Sequence, residues 1–206
     1  MTPSTIVLLR HGEKKNAYEL TPTGRLRAEG LVHQWLGRGA EPSLFDRLGL
    51  AAPVAFLTTT LHTIELAAPS AHSWGLPLTS YTAVAGDSTP TRVLGDLTEQ
   101  AVDDVLRTPA WAGGTVVVCW EHHHLADATL NRTWRLLPGL DRLPPQPGIP
   151  RVPESWSGDN YDYFWVVPMD QGTGRAADFT SVLQTFTGKY ADVPQNPWGQ
   201  PEASSD

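Results

Sequence analysis

Short apolar runs alternate along the chain with longer segments of helical periodicity. The runs rich in branched residues predict buried strands, and they occupy residues 6–9, 54–57 and 115–119. Weaker strand patterns occupy residues 79–84, 161–167 and 179–186. Apolar residues three to four positions apart predict helices over residues 22–35, 61–73, 91–107 and 124–137. Because strands alternate with helices, we expect an α/β domain with a mostly parallel sheet.

The remaining segments lack a regular apolar pattern. Residues 138–155 are rich in proline and predict a long surface loop. From Ala191 the sequence consists largely of Pro, Gln, Gly and Ser. We therefore expect one domain over residues 1–190 and a C-terminal tail over residues 191–206.

Composition narrows the classes of function. The chain of 206 residues is 40% hydrophobic and 18% charged, which is ordinary for a globular domain. The formal net charge of −7 comes without a cluster of Lys or Arg, so no nucleic-acid partner is expected. Neither a signal-like segment nor an apolar run of ~20 residues is evident, so we expect no membrane segment and a cytoplasmic location. The single cysteine, Cys119, lies in an apolar run and predicts a buried, unreactive thiol.

Polar side chains follow three of the predicted strands, in the runs Arg10–Glu13, Thr58–His62 and Glu121–His124. Ligands of parallel sheets bind beyond the carboxyl ends of the strands. Neutral imidazole can attack phosphorus, and the planar guanidinium of Arg matches phosphate oxygens. The pattern therefore indicates phosphate chemistry at this edge of the sheet.

Four segments resemble the histidine phosphatase (phosphoglycerate-mutase-like) superfamily, and the similarity spans roughly residues 5–185. Leu8–Glu13 resembles its signature, and Leu20–Leu31 resembles the helix that follows. Cys119–His122 resembles the segment that carries the second catalytic histidine, and with Trp156–Asp162 it is typical of a subgroup of small members. The resemblance implies a three-layer α/β/α sandwich. It also implies a phosphomonoester hydrolase that acts through a phosphohistidine on a small phosphorylated substrate, without a cofactor.

The resemblance also implies roles for individual residues. His11 would accept the phosphoryl group, Arg10 would bind the phosphoryl oxygens, and His122 would help to bind them and stabilise their charge. Water would then hydrolyse the phosphohistidine. The general acid is left open. The candidates are Glu121, Glu13, Asp87 and Asp96. Asn16 and His123 are further candidates for substrate contacts, together with Glu13 and Asp87.

One position departs from the family pattern. His62 stands where the family usually has a second phosphate-gripping Arg. Imidazole is largely uncharged at neutral pH, so we expect phosphate binding to be weaker than with Arg and to improve as the pH falls toward 6. The alternative is that His62 is a surface residue of the helix. The substitution also favours a second function, an impaired family member that binds a phosphorylated ligand or a protein partner.

The run His122–His124 invites a metal interpretation. On a strand, adjacent side chains point to opposite faces, so only His122 and His124 could share an ion. No Asp or Cys at a familiar ligand spacing accompanies them, and no native metal is expected. The sequence leaves the oligomeric state open.

Overall fold

Six strands form one sheet in the computed structural model, which describes residues 2–16, 18–82, 91–144 and 152–198. The strands are β1 (Thr5–Arg10), β2 (Pro53–Thr58), β3 (Leu78–Ser80), β4 (Thr115–Trp120), β5 (Tyr163–Pro168) and β6 (Thr180–Leu183). Their order is β3-β2-β4-β1-β5-β6. β5 pairs antiparallel with both neighbours, and the other adjacent pairs are parallel. The expectation of an α/β fold with a mostly parallel sheet is confirmed.

Helices cover both faces of the sheet. They are α1 (Pro22–Gln34), α2 (Leu44–Leu48), α3 (Leu61–Ser73), α4 (Thr91–Arg107) and α5 (His122–Leu125). Successive strand residues point to opposite faces, so Val7 and Leu9 pack with α1, α2 and α3, whereas Ile6 and Leu8 pack with α4. Each central strand is therefore apolar on both faces, and the molecule has the three layers of an α/β/α sandwich. Among the described residues, none of the helices combines the length and apolarity that a bilayer crossing needs.

The helix predicted over residues 124–137 is wrong. Only the turn His122–Leu125 is helical there, and Trp134–Leu136 forms a short 3-10 turn. The carbonyl of Ala126 accepts a hydrogen bond from the backbone N–H of Trp156, and the Asp127 side chain accepts one from the N–H of Thr129. These bonds replace those of a helix. The apolar spacing was still informative, because Ala126, Trp134 and Leu137 are all buried.

The segment 191–198, which the composition assigned to the tail, is packed against the domain. Val193 is buried in the core beside α1. The backbone N–H of Asn196 donates to Asp162 over 2.9 Å, and the Trp198 ring lies 5.3 Å from the Trp156 ring. These contacts connect the C-terminal segment to residues 156–162, which reach the candidate site.

Candidate active site

Three neighbouring parallel strands, β2, β4 and β1, deliver the candidate residues to one edge of the sheet. Arg10 ends β1 opposite Trp120, the last residue of β4. The backbone N–H of His11 donates to the Trp120 carbonyl over 3.1 Å, which fixes the two chain segments where they leave the sheet. Glu121 follows directly, and His62 enters from the first turn of α3 after β2. The expected convergence of the three polar runs is therefore observed.

His11 is fully buried, and both of its ring nitrogens have defined neighbours. Nδ1 lies 2.7 Å from the Gly12 carbonyl, and Nε2 lies 3.3 Å from Nη2 of Arg10. Because a carbonyl only accepts and a guanidinium only donates, Nδ1 carries the hydrogen and Nε2 carries the lone pair. Burial lowers the pKa of His11 to about 4, although Glu121 raises it in part. The imidazole is therefore neutral at pH 7, as a nucleophile must be.

Arg10 is held by the loop of residues 156–161. Nη1 donates to the carbonyls of Ser157 and Gly158, each over 2.8 Å, and to that of Asn160 over 3.2 Å. Its guanidinium carbon lies 3.8 Å from the centre of the Tyr161 ring, a stacked cation–π contact. With Nη1 so engaged, Nη2 is directed at His11.

His62 and Glu121 form a buried pair beside the His11 ring. Nε2 of His62 makes a short hydrogen bond to Oε1 of Glu121, which also accepts from the Thr60 hydroxyl over 3.2 Å. The ring centres of His62 and His11 are 4.7 Å apart. His62 is buried, so the alternative that it is a surface residue of the helix is wrong.

Glu121 is charged despite its burial. Burial raises its pKa, but the close contacts of the carboxylate with His11 and His62 outweigh this effect and hold the pKa below the usual range. Because Nε2 of His11 is an acceptor in the tautomer described above, the bond from His62 is the main stabilising contact in the resting site. The second carboxylate oxygen, Oε2, lies 3.4 Å from Nε2 of His11.

His122 completes the group, with its ring centre 5.8 Å from that of His11. Its Nδ1 is buried and has no hydrogen-bond partner among residues 2–16, 18–82, 91–144 and 152–198. Burial, followed by the positive charge of Arg10, lowers the pKa of His122 to about 2. His123 instead is exposed and pairs with Asp127 over 3.0 Å, and His124 is buried against the Thr91 carbonyl.

The other sequence candidates lie outside this group. The carboxylate of Glu13 binds Arg27, with its closest contact at 2.6 Å. Asn16 is exposed, and its side-chain oxygen accepts from the backbone of Tyr18 and Glu19 in a turn. Asp96 pairs with Arg132. Asp87 lies outside the described residues.

Three contributions were not predicted from the sequence. Tyr161 stacks on Arg10, and backbone carbonyls of the loop 156–161 bind the same guanidinium. Arg27 is buried and bridges Glu13 to Asp162, at 2.7 Å from the latter. The signals were present, because Trp156–Asp162 and Arg27 both belong to the segments that resemble the superfamily. The type of a residue does not show where its backbone carbonyl points, so the sequence could not predict these contacts with Arg10.

The cluster also has atoms of the kind that bind metals. One ligand-type atom each from His11, Glu121 and His122 lies within 4.8 Å of the others. However, Nη2 of Arg10 stands 3.3 Å from Nε2 of His11, and a permanent cation at that distance repels a divalent one. The arrangement is better suited to an anion than to a metal ion.

A cavity of about 340 Å³ lies at the start of α4, next to α5. Two arginines and one histidine contribute to its wall, which is lined by Thr91, Arg92, Gly95, His124, Leu130, Asn131 and Arg132. One of its lining residues, His124, is only two positions beyond His122 of the candidate site. Its basic and polar lining suits a polar group.

Comparison with known proteins finds likeness only among solved structures. No protein-family model matches the chain. No curated protein matches it either. An open reading frame product of Mycobacterium tuberculosis is 20% identical over 88% of this chain and 97% of its own, with a TM-score of 0.44.

A mycobacterial glucosyl-3-phosphoglycerate phosphatase is 14% identical over 90% of this chain and all of its own, with a TM-score of 0.45. The same phosphatase in complex with inorganic phosphate is 14% identical over 91% of this chain and 99% of its own, with a TM-score of 0.46. Likeness at this level carries no argument about activity.

Proposed function

We propose that the chain is a phosphomonoesterase of the histidine phosphatase superfamily that works through a phosphohistidine on His11. The observation that carries the proposal is the state of the His11 ring. Its Nδ1 donates to the Gly12 carbonyl, so the lone pair of Nε2 points into the group formed by Arg10, Glu121 and His122. A neutral, oriented imidazole is the form that can attack phosphorus.

Arg10 acts as the anchor for the phosphoryl group. Its Nη2 already lies beside Nε2 of His11, so a phosphorus atom approaching that nitrogen brings its oxygens within reach of a fixed donor. His122 contributes a second donor from α5, and its Nδ1, which has no partner among the described residues, is a group that a bound oxyanion can satisfy. The substrate is a small phosphorylated molecule, since the nucleophile is enclosed.

The reaction proceeds in two displacements. Nε2 of His11 forms a bond to phosphorus while the bond from phosphorus to the ester oxygen breaks, and the leaving oxygen keeps the electron pair and takes a proton. Water then attacks phosphorus, the phosphorus–nitrogen bond breaks, and inorganic phosphate leaves. Of the described carboxyl candidates, Glu121 faces His11. Glu121 is ionised, so we assign to it the relay of a proton that the bound phosphoryl group brings into the site, whereas Glu13 is engaged by Arg27 and Asp96 by Arg132.

A second candidate function is binding of a phosphorylated ligand without turnover. The observation that favours it is the charged oxygen of Glu121 only 3.4 Å from Nε2 of His11, where it opposes a phosphoryl dianion. An impaired site of this kind would still hold an oxyanion through Arg10.

The proposal is tested by hydrolysis of an aryl phosphate across a pH series from about 5 to 8. We expect activity in the wild type and a loss of roughly 10³-fold or more in His11→Ala. His72→Ala is the matched control, because His72 is exposed at the far end of α3. Equal activity of wild type and His11→Ala would contradict the proposal.

A further inference from the structure

The electrostatics of the site differ from those of a simple anion pocket. One guanidinium, Arg10, and one carboxylate, Glu121, both approach the same atom, Nε2 of His11, at 3.3 Å and 3.4 Å. A pocket made for a dianion would surround it with donors and cations. Here the positive charge of Arg10 next to His11 is balanced by the negative charge of Glu121.

The two oxygens of Glu121 have different surroundings. Oε1 accepts hydrogen bonds from His62 and from the Thr60 hydroxyl. Oε2 faces Nε2 of His11, which is itself an acceptor because Nδ1 carries the ring hydrogen. Two acceptors therefore border the same small region, 3.4 Å apart.

A phosphoryl group poised for attack must enter that region. Reacting atoms in a near-attack geometry are about 3–3.5 Å apart, the same distance at which Oε2 stands from Nε2. A non-bridging oxygen of the phosphoryl group is therefore brought against Oε2. An ionised carboxylate only accepts hydrogen bonds, so this contact is attractive only if a hydrogen lies between the two oxygens.

We propose that Glu121 makes the site selective for phosphoryl groups that carry a proton, so that it binds the monoanion of a phosphomonoester and rejects permanently dianionic oxyanions such as sulfate. The inference rests on the proposed function and specifies its substrate class. The proton lies between Oε2 of Glu121 and the phosphoryl oxygen, while Arg10 donates to the oxygens that remain charged.

Groups from several elements surround Glu121 and set its charge. His11, which follows β1, and His62 in α3 contact Glu121, and Arg10 at the end of β1 lies 3.3 Å from Nε2 of His11. Its own segment adds neighbours on both sides. The Glu121 charge raises the pKa of Cys119 in β4 and of His122 and His124 in α5, against or together with the effect of burial. The only permanent cation in this set is Arg10, and it is already bound to three backbone carbonyls.

The shared proton has a use in the proposed reaction. When the bond from phosphorus to the ester oxygen breaks, that oxygen carries the electron pair and needs one proton. The hydrogen held by Glu121 and the phosphoryl oxygen is the one transferred, and the phosphohistidine is left as the dianion beside an ionised Glu121. No further reactant is required for the first displacement.

The test is calorimetric binding of inorganic phosphate and of sulfate at about pH 6, where phosphate is mainly a monoanion and sulfate carries no proton. Wild type is expected to bind phosphate at least about tenfold more tightly than sulfate. In Glu121→Gln the amide can donate to an unprotonated oxygen, so sulfate affinity rises at least about tenfold and the difference between the anions closes. Glu19→Gln, at an exposed ion pair with Lys15, is the control and retains the wild-type preference.

Equal affinity of the wild type for phosphate and sulfate overturns the inference, and so does a wild type that binds no phosphate. A folded Glu121→Gln variant that still prefers phosphate over sulfate overturns it as well. If Glu121→Gln does not fold, the inference is tested instead by measuring phosphate affinity of the wild type as a function of pH. Affinity must fall about tenfold per pH unit once phosphate is mainly dianionic, and pH-independent binding overturns the inference. Selective binding without phosphohistidine would reject only the proposed function. Phosphohistidine formed without anion selectivity would reject only this inference.

Discussion

Nη2 of Arg10 lies 3.3 Å from Nε2 of His11, and the rest of the Arg10 guanidinium is immobilised by the loop that follows Trp156. Three carbonyls bind Nη1, and Tyr161 stacks on the planar group. The two residues are adjacent in sequence, yet their alignment depends on a loop nearly 150 positions away. A cation and the proposed nucleophile are thereby fixed relative to each other before any ligand arrives.

This relationship predicts that Arg10→Lys is a severe substitution. A single ammonium group cannot bind the three carbonyls and also donate at Nε2 of His11, because lysine lacks the planar fork. We expect kcat/KM for an aryl phosphate to fall by about 10²-fold or more, with a folded protein. Arg47→Lys serves as a control, because Arg47 stacks on Trp35 and donates to the Pro42 carbonyl. A loss of less than about threefold in Arg10→Lys would contradict the role of the fork.

The decrease of kcat/KM at acid pH is expected to follow the protonation of the His11 imidazole. Burial disfavours the charged imidazole, so the pKa of His11 is lowered to about 4 and the proposed nucleophile is neutral above that value. We therefore expect kcat/KM to fall as the pH drops through about 4, once an acid-stable substrate and a folding control by circular dichroism are used. If kcat/KM instead falls around the ordinary pKa of histidine, the His11 imidazole is not buried from water as described.

His62→Arg tests the position at which the chain departs from the superfamily that its sequence resembles. Arginine can retain the contact with Glu121 and has further N–H groups for a phosphoryl oxygen, and it is charged at every pH of interest. We expect phosphate affinity to rise about tenfold near pH 8, with a smaller gain near pH 6. His72→Arg, on the exposed end of the same helix, is expected to change nothing. Unaltered phosphate affinity in His62→Arg at both values would count against a phosphate-binding role for this position.

Arg27 is predicted to matter for stability and not for chemistry. Its buried guanidinium contacts Glu13 at 2.6 Å and Asp162 at 2.7 Å. Removing the cation in Arg27→Met leaves two carboxylates without their partner, and we expect a loss of about 3–5 kcal/mol in the free energy of unfolding. Arg25→Met removes an exposed ion pair with Glu65 and should cost far less. Denaturant titration of both variants decides, and equal stability would contradict the account.

The sequence predicted those features that depend on local pattern. The central strands could be located because apolar runs of branched residues mark strands buried on both faces, and the convergence of Arg10, His62 and Glu121 followed from the rule that parallel strands end at one edge. The roles assigned to these residues stay predictions.

Features that depend on distant contacts could not be predicted. The helix over residues 124–137 failed because the Ala126 carbonyl bonds to Trp156, a partner that periodicity does not reveal. The engagement of Glu13 by Arg27 and the position of Oε2 of Glu121 beside His11 likewise need three-dimensional neighbours. The local sequence pattern therefore predicts which residues are candidates for the site. Their hydrogen-bond partners and charges depend on tertiary contacts.

The central claim is that Nε2 of His11 forms a covalent bond to phosphorus. Rapid quenching of the protein with an aryl phosphate, followed by intact-mass and peptide mass spectrometry under alkaline conditions, measures it directly. We expect an acid-labile phosphoryl group on the peptide that contains His11 in wild type and in His72→Ala, and none in His11→Ala. Turnover without any phosphorylated histidine, or a phosphoryl group that persists in His11→Ala, would contradict the account.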